Sequence, residues 1–433
     1  MRMPDLDTGI LARRAGVIRA LRRLVPDGVV ADDDALVAYD SDALTAYRQK
    51  PLAVVLPRSA DEVSAVLRFC ATSKVKIVPR GAGTSLSGGA LPVGDGVLLG
   101  LSRMNRILEI DLENRCAVVE PGVTNLAITR AVEARGFYYA PDPSSQIACT
   151  IGGNVAENSG GIHCLKYGLT TNNLLGVEFA LLDGSRVRFG GKALDPGGLD
   201  LLGLVTGSEG LLGVVTEVTV RLRRKPPCAK ALLIAFPSIE AAGQCVADVI
   251  AAGIVPAAME IMDRFAIDAV EAYCAPGYPR EAAAVLIAEI DGVAIEVEAA
   301  AAQLEAIARA NGALACEGST AESERERIWL GRKAAFAAAG RIAPDMLCMD
   351  GTIPRRALPR VLTRIGEMSA EFGLPVANVF HAGDGNLHPL IMFDVMKEGD
   401  LTRAEQFGAD ILKLCVEVGG VLTGEHGVGV EKR

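Results

Sequence analysis

Three of the four histidines of this chain lie between positions 381 and 426. Two of them, His381 and His388, flank Asp384-Gly385, a strong signal for a two-residue hairpin turn between extended, apolar-rich strands. That turn would place the two histidines directly opposite each other, with Cβ atoms about 4.5–5.5 Å apart on one sheet face. Two imidazoles so placed can hold one divalent metal ion. The third, His426, stands beside a carboxylate, Glu425, so the sequence indicates a built site.

Two glycine-rich, hydroxyl-bearing loops precede this site in the chain. The first, residues 79–85, follows a strand–helix–strand pattern over residues 53–79, and the second spans residues 141–161. Backbone N–H groups beside glycine form anion-binding nests, to which Ser and Thr hydroxyls add donors. The first loop is neither a Gly-x-Gly-x-x-Gly fingerprint nor a Walker loop, which disfavours a Rossmann NAD site. Either loop alone is compatible with an ordinary glycine turn, but the pair fits a dinucleotide with a pyrophosphate.

Composition excludes several classes of protein. Half of the 433 residues are hydrophobic and the net charge is −9, which indicates a globular chain and disfavours a nucleic-acid partner. No apolar run reaches the ~18 residues of a membrane-spanning helix, and the N-terminus lacks a signal-peptide core. We therefore expect a cytoplasmic protein, and peripheral association with the inner face of the membrane stays open. The ten cysteines form no Cys-x-x-Cys pair, which disfavours an iron–sulfur cluster or structural zinc in this chain.

The charged, proline-broken sequence at residues 223–227 is the best candidate for a domain boundary. Beyond it, residues 231–261 and 284–316 each show a strand–helix–strand pattern, and two such units predict a ferredoxin-like α+β sheet. The predicted domains are residues 1–226 (core 48–226), 227–415 and 416–433.

Five motifs in a fixed order carry a family resemblance. They are PRGAGTSLSGGA from Pro79, TIGGN…NSGG from Thr150, GSEGLLGVVTEV from Gly207, HAGDGNLH from His381 and GEHGVG from Gly424. Through them, residues 45–433 resemble the FAD-linked oxidase family of the vanillyl-alcohol oxidase type, in the branch of glycolate oxidase FAD subunits and D-lactate dehydrogenases. The resemblance implies an α+β fold, with a two-subdomain FAD-binding domain (PCMH-type) followed by a ferredoxin-like antiparallel-sheet cap domain. It also implies that residues 416–433 start a segment that returns to the FAD domain, and we expect that segment to be truncated.

The resemblance implies FAD as the cofactor. In the family the first loop cradles the pyrophosphate, the second lies along the flavin and ribityl chain, and a later segment holds the adenine side. The residues implied here are Arg80, Gly81, Ala82, Gly83, Thr84, Ser144, Thr150, Gly153, Asn154, Ser159, Gly213 and Val215. Members with covalent flavin use a histidine in the first loop, and because this chain has none there we expect noncovalent FAD.

The metal-dependent members bind zinc or a similar ion through positions that correspond to His381, His388 and Glu425, which implies a divalent metal such as zinc or manganese. Three protein ligands leave positions open for a substrate. The alternative, two surface histidines that bind nothing, is disfavoured by their opposed placement. His426 is the best-placed general base. Arg332 matches the family's carboxylate-binding arginine, although the sequence alone would favour a solvated helix charge.

The implied activity is FAD-dependent oxidation of a small 2-hydroxy acid, glycolate or D-lactate, through metal-assisted proton removal and hydride transfer to flavin. Relatives that act on longer dicarboxylates add a lysine just before the Asp-x-x-x-Pro stretch at residues 350–354, where this chain has Cys348-Met349. A small monocarboxylate is therefore favoured. Expected partners are an iron–sulfur subunit and a second FAD-domain subunit, and a quinone or cytochrome acceptor is the alternative.

Three other functions are alternatives, and the hairpin histidines and the Glu425-His426 pair count against the last two. One is a D-2-hydroxyglutarate-type dehydrogenase. Another is a noncatalytic FAD-binding subunit of an oxidase complex, which should lack the hairpin histidines. The third is the ether-lipid synthase branch of the same fold, which uses a tyrosine and a histidine run in place of Glu425-His426.

Overall fold

The computed structural model describes residues 3–193 and 198–433. The chain divides into two compact units. The first comprises Met1–Gly160, Gly168–Lys225 and Glu425–Arg433, and the second comprises Gly161–Tyr167 and Pro226–Gly424. The predicted boundary at residue 415 falls inside a helix, and the terminal segment assigned to the first unit begins at Glu425.

The first unit contains a mixed sheet and an antiparallel sheet. Its strands are β1 (Val29–Val30), β2 (Ala53–Val55), β3 (Lys76–Arg80), β4 (Gly96–Gly100), β5 (Ile107–Asp111), β6 (Cys116–Val119), β7 (Phe137–Tyr138), β8 (Leu174–Ala180), β9 (Arg186–Gly190), β10 (Val214–Arg221) and β11 (Arg223–Arg224). The mixed sheet has the order β1-β2-β4-β3, and the antiparallel sheet has the order β5-β6-β10-β8-β9. Strands β7 and β11 form a separate pair.

The helices of this half of the chain are short apart from two near the N-terminus. They are α1 (Thr8–Ala12), α2 (Arg14–Leu24), α3 (Ala60–Ser73), α4 (Asn125–Val132), α5 (Ile151–Glu157), α6 (Cys164–Tyr167, in the second unit), α7 (Thr170–Asn173) and α8 (Leu201–Val205). Helix α3 begins after Ser59, whose Oγ accepts a hydrogen bond from the Glu62 amide at 3.3 Å, the usual role of an N-cap serine. Its buried Val63, Val66 and Leu67 pack in one core with β2 and β4, which fixes β3 and the glycine-rich loop that follows it.

The second unit is built on one seven-stranded sheet. Its strands are β12 (Cys228–Phe236), β13 (Ala258–Asp263), β14 (Ala284–Gly292), β15 (Ala315–Ser319), β16 (Asp345–Cys348), β17 (Val376–His381) and β18 (Pro389–Phe393), and its long helices are α9 (Ile239–Ala251), α10 (Arg264–Tyr273), α11 (Ala294–Ala310), α12 (Glu322–Ala339), α13 (Leu358–Phe372) and α14 (Asp400–Glu417). The sheet order is β15-β12-β14-β13-β17-β18-β16. The first four strands, with α9 and α11 as crossovers, follow the ferredoxin-like order, so the predicted α+β cap is confirmed. Strands β17, β18 and β16 extend the sheet beyond β13.

The histidine hairpin differs from its prediction in register. Strands β17 and β18 pair Val376 with Ile391, Ala377 with Leu390 and Asn378 with Pro389, and a further bridge joins His381 to Asn386. The turn therefore has four residues, 382–385, and the predicted two-residue turn is wrong. Neighbouring segments hold the longer turn, because Gly383 donates to Met259 O at 3.1 Å and Ile353 donates to Gly385 O at 2.9 Å. A shift of two positions keeps both histidines on one sheet face, since side chains alternate with period two.

Candidate active site and cofactor cradle

The two glycine-rich loops of the first unit meet at Gly81 and Thr150. A Cβ atom on Gly81 would lie 2.1 Å from Oγ1 of Thr150, so only glycine permits this approach. That Oγ1 atom is buried and makes no hydrogen bond within the part of the chain that the structure describes. A Cβ atom on Gly153, in the first turn of α5, would lie 3.4 Å from the same Thr150 hydroxyl oxygen. A buried hydroxyl in a glycine-lined cradle fits a polar cofactor such as a dinucleotide pyrophosphate.

A third glycine-rich segment, residues 207–210, closes on the same loops. Gly207 donates to Val155 O and Glu209 donates to Ala156 O, both at 2.8 Å, at the end of α5. A Cβ on Gly210 would lie 2.8 Å from the Pro79 ring, at the start of the first loop. Sequence reasoning used this segment only as a family motif, and the structure adds Ser208, whose buried Oγ likewise has no hydrogen-bond partner among the described residues.

Three of the twelve expected cofactor residues use their side chains within the protein. The Arg80 guanidinium is buried, which lowers its pKa, and its Nε donates to Ala90 O at 3.0 Å. The Asn154 amide oxygen accepts a hydrogen bond from Asn125 at 3.0 Å, and the Val215 side chain lies in the core of the antiparallel sheet. Contacts from these three residues to a cofactor would come from the backbone.

The other expected cofactor residues lie on or beside the same loops. They are Ala82, Gly83, Thr84, Ser144, Ser159 and Gly213. Gly83 has a φ of +72°, and Gly213 leads into β10 with a φ of +156° and no room for a Cβ, because Ala180 O would be 2.5 Å away. Ser144 is exposed, whereas the backbone carbonyl of Ser159 accepts a hydrogen bond from Thr170 Oγ1 at 2.7 Å.

The two hairpin histidines lie together in the second unit. Their ring centroids are 5.0 Å apart with the rings at 79°, and a ring nitrogen of His381 lies within 4.8 Å of one of His388. The residues are only 4% and 3% exposed. The alternative of two surface histidines is therefore wrong, and two buried nitrogens at this separation fit a divalent metal such as zinc.

A buried carboxylate orients one of these rings. Glu260 on β13 pairs directly with His381 on β17, is fully buried, and places Oε1 2.8 Å from Nδ1 of the ring. A carboxylate oxygen only accepts hydrogen bonds, so Nδ1 carries the proton and donates. The lone pair then lies on Nε2, as in metal-binding histidines that donate their other ring nitrogen to a carboxylate.

The same carboxylate holds Arg332. This residue lies on α12, is 2% exposed, and donates from Nε to the second oxygen of Glu260 at 2.8 Å. Its backbone amide donates to Tyr278 Oη at 3.2 Å. The interpretation of Arg332 as a solvated helix charge is therefore wrong. Within the described residues only Nε of its guanidinium makes a hydrogen bond, so the two terminal nitrogens remain for a carboxylate ligand.

Asp350 is a second carboxylate that sequence reasoning did not assign to the site. It is fully buried, with Oδ1 3.5 Å from Nε2 of His388. Its other oxygen accepts hydrogen bonds from Thr423 Oγ1 at 2.7 Å and from the Gly424 amide at 3.0 Å. Asp350 thus contacts His388 and also fixes Gly424, the last residue of the second unit. Glu425 is the next residue in the chain. The Asp-x-x-x-Pro stretch was the only sequence signal for Asp350.

Glu425 and His426 belong to the terminal segment of the first unit. Ser87 Oγ donates to the His426 carbonyl at 2.8 Å, and Glu209 accepts the amides of Val428 and Gly429 at 2.9 and 2.7 Å. These bonds fix the Gly-Glu-His-Gly-Val-Gly backbone. The Glu425 and His426 side chains are 10% and 12% exposed, with 3.9 Å between Oε1 and Nε2.

Two further buried carboxylates share the sheet face of Glu260. On β14, Ile287 pairs directly with Glu260. Glu289 and Asp291 lie two and four positions after Ile287 on the same strand, so their side chains point to the same face. Burial raises the pKa of Glu289, but hydrogen bonds from His163 and Trp329 outweigh that and hold the pKa below its usual value. His163 therefore has a structural partner within the second unit.

Comparison with known proteins decides the family. A family model described as an FAD binding domain matches residues 51–190, and one described as FAD linked oxidases, C-terminal domain, matches residues 225–433. This chain belongs to the FAD-linked oxidase family. The FAD-linked oxidase is 53% identical to the protein named glycolate oxidase subunit GlcD of Escherichia coli K12 over 431 residues, which are 99% of this chain and 85% of that protein.

Two further comparisons agree. A protein named D-lactate dehydrogenase from Archaeoglobus fulgidus is 34% identical over 383 residues, 88% of this FAD-linked oxidase and 83% of that protein. The solved structure of 4-ethylphenol oxidase from Gulosibacter chungangensis matches with a TM-score of 0.80 at 18% identity, covering 98% of this chain and 91% of that one, which shows the fold alone. The predicted family, the fold class and an FAD-dependent oxidoreductase activity are confirmed. Among the described residues, no helix combines the length and apolarity needed to cross a membrane.

Proposed function

We propose that this FAD-linked oxidase converts a small 2-hydroxy acid, glycolate or D-lactate, to the 2-oxo acid with noncovalently bound FAD. A divalent metal, zinc or manganese, would be held by His381, His388 and Glu425. The observation that carries the proposal is the buried histidine pair linked through Glu260 to a buried arginine, Arg332. The two histidines offer metal ligands, and the Arg332 guanidinium offers a binding group for a substrate carboxylate. Relatives named glycolate oxidase subunit and D-lactate dehydrogenase support the substrate class.

Each residue has one task in this reaction. When bound, the metal would lower the pKa of the substrate hydroxyl and FAD would accept the hydride from C2. Arg332 binds the substrate carboxylate through its terminal nitrogens, a geometry that lysine does not reproduce. Its Nε bond to Glu260 fixes the plane of the guanidinium. His426 accepts the hydroxyl proton, because imidazole exchanges protons readily near neutral pH.

Two features of the chain support metal binding at Glu425 and proton transfer at His426. Asp350 contacts His388 and also holds the Gly424 amide, and Glu425 follows Gly424 directly. The His426 carbonyl is fixed by Ser87, so the histidine backbone is held in place before any substrate binds.

The proposed substrate is a monocarboxylate. Relatives that act on longer dicarboxylates carry an added lysine where this chain has Cys348 and Met349. Both side chains are buried, at 5% and 2% exposure. Neutral, buried residues at these positions offer no charge partner for a second carboxylate, which favours glycolate or D-lactate over D-2-hydroxyglutarate.

We further propose that the chain works as one subunit of an assembly. Electrons from the flavin would pass to an iron–sulfur subunit, with a second FAD-domain subunit as a further partner. The support is the relative named as a glycolate oxidase subunit and the lack of any Cys-x-x-Cys pair in this sequence.

Steady-state turnover with an artificial dye acceptor tests the proposal. The FAD-loaded protein would be supplied with zinc or manganese and given glycolate, D-lactate, L-lactate or D-2-hydroxyglutarate. We expect turnover with glycolate or D-lactate, and its loss after chelation and in His388→Asn but not in His163→Asn. Equal turnover of D-2-hydroxyglutarate would contradict the proposed preference for a monocarboxylate. Full activity of His388→Asn would contradict the proposed role of a metal.

A further inference from the structure

We infer that Glu260 is the positioning residue of this site, holding His381 in the tautomer that binds metal and Arg332 in the orientation that binds the substrate carboxylate. The inference rests on the proposed function, because it concerns the same metal and the same substrate. No sequence motif pointed to Glu260, which lies on β13, far from both partners along the chain.

The geometry is that of one acceptor shared by two donors. Oε1 of Glu260 is 2.8 Å from Nδ1 of His381, and Oε2 is 2.8 Å from Nε of Arg332. Glu260 is fully buried, and Arg332 is 2% exposed. Both hydrogen bonds are therefore shielded from water, and a buried charge-assisted bond holds its partners more tightly than an exposed one.

Only a carboxylate satisfies both partners. Its two oxygens both accept, whereas a glutamine amide has one acceptor and one donor. If the glutamine NH₂ faced His381, Nδ1 would have to accept, and the ring proton would move to Nε2, the atom left for the metal. If the NH₂ faced Arg332 instead, two donors would oppose each other and displace the guanidinium. Glu260→Gln must therefore impair either metal binding or substrate binding.

The chain offers a matched control in Glu289. This carboxylate is buried on the same sheet face and accepts a hydrogen bond from Trp329 Nε1 at 2.8 Å. Its further partners are His163, at 3.8 Å, and Arg325, at 3.9 Å. Glu289→Gln thus removes one buried negative charge from the same sheet and leaves the two Glu260 bonds intact.

Three readouts separate positioning from general stability. Zinc affinity is measured in FAD-loaded protein without substrate, by competition with a chromophoric chelator. The ring tautomer of His381 is measured in metal-free protein by heteronuclear NMR of labelled histidines, which is tractable with four histidines in the chain. The KM for glycolate is measured apart from kcat in the metal-replete protein.

We expect the wild type to show the Nδ1–H tautomer at His381. Glu260→Gln should lose about 10- to 100-fold in zinc affinity, or show a comparable rise in KM, because orienting partners of metal ligands typically have effects of that size. Glu289→Gln should keep the wild-type zinc affinity, and Glu260→Asp, which retains two acceptor oxygens, should recover part of the loss.

Three results would overturn the inference. Wild-type zinc affinity, tautomer and KM in Glu260→Gln would overturn it while the proposed function stood. A wild-type protein that bound no zinc or manganese would overturn both. If Glu260→Gln did not fold, the tautomer of the wild type would decide, since an Nε2–H ring at His381 contradicts the assigned hydrogen bond.

Discussion

Glu260 and His381 face each other across the antiparallel strands β13 and β17, with 2.8 Å between Oε1 and Nδ1. The other oxygen of the same carboxylate accepts from Arg332. One side chain therefore links the proposed metal site to the proposed substrate-carboxylate site. A change in any of the three residues is expected to alter the other two.

Removal of a hairpin histidine should abolish metal binding without loss of flavin. In His388→Asn we expect the metal content per chain to fall to background and turnover to fall by more than roughly 100-fold, since the proposed metal activates the substrate hydroxyl. Metal content is measured by mass spectrometry and FAD by its visible absorbance. The control is His163→Asn, because His163 contacts Glu289 instead. A full metal complement in His388→Asn would refute the ligand assignment.

Replacement of Arg332 should separate substrate binding from stability. Arg332→Lys keeps the charge but loses the planar fork, so we expect the KM for glycolate to rise about 10- to 100-fold. Arg332→Leu also leaves Glu260 buried without its cation, and should lower the free energy of unfolding by about 3–5 kcal/mol. Steady-state kinetics and urea unfolding measure the two effects. An unchanged KM in Arg332→Lys would mean that the substrate carboxylate binds elsewhere.

Gly81, where the two glycine-rich loops meet, should not tolerate a larger side chain. In Gly81→Ala the new methyl group would collide with Thr150 Oγ1, so we expect FAD affinity to fall at least about tenfold. Gly16→Ala is the matched control, because it lies in α2 of the same unit and its Cβ would meet nothing within 4 Å. Dissociation constants for FAD come from flavin fluorescence. Equal FAD affinity in Gly81→Ala and the wild type would show that the cradle is not where the loops meet.

A buried carboxyl group predicts how stability depends on pH. Burial raises the pKa of Asp263 from 3.8 to about 6, although Ala266 and Asn378 donate hydrogen bonds to it. Because the folded-state pKa is above the unfolded one, the stabilising contribution is complete below pH 3.8 and is lost as the pH rises through about 6. The loss amounts to roughly 3 kcal/mol.

The measurement for Asp263 is urea unfolding of the wild type and of Asp263→Asn across this pH range. As the pH rises, we expect the unfolding free energy of the wild type to fall relative to that of Asp263→Asn. Parallel pH profiles for the two proteins would contradict the raised pKa.

Local signals in the sequence predicted much of the fold and part of the site. Glycines beside hydroxyl residues marked the loops that contain Gly81 and Thr150, and two strand–helix–strand patterns gave the ferredoxin-like sheet. Alternation along the hairpin placed His381 and His388 on one face even though the turn was two residues longer than predicted. The length of the turn depends on the hydrogen bond that Gly383 donates to Met259 and on the one that Gly385 accepts from Ile353. Both partners are distant in the sequence, so no local pattern predicts them.

The residues that sequence reasoning missed all depend on pairing between distant strands or on burial. Glu260 reaches His381 only because β13 pairs with β17, and Asp350 reaches His388 only because β16 pairs with β18. Burial also changed the interpretation of Arg332, since a helix pattern does not show which charged residue faces a buried carboxylate.

Anaerobic mixing of the purified, metal-replete protein with glycolate and, separately, with D-lactate tests the proposed 2-hydroxy-acid oxidation. The measured quantity is the visible absorbance of the bound flavin. We expect one of the two acids to bleach the flavin rapidly, and His388→Asn with bound FAD to stay yellow with both. Oxidised flavin that persists in the wild type with both acids would contradict the proposed 2-hydroxy-acid oxidation.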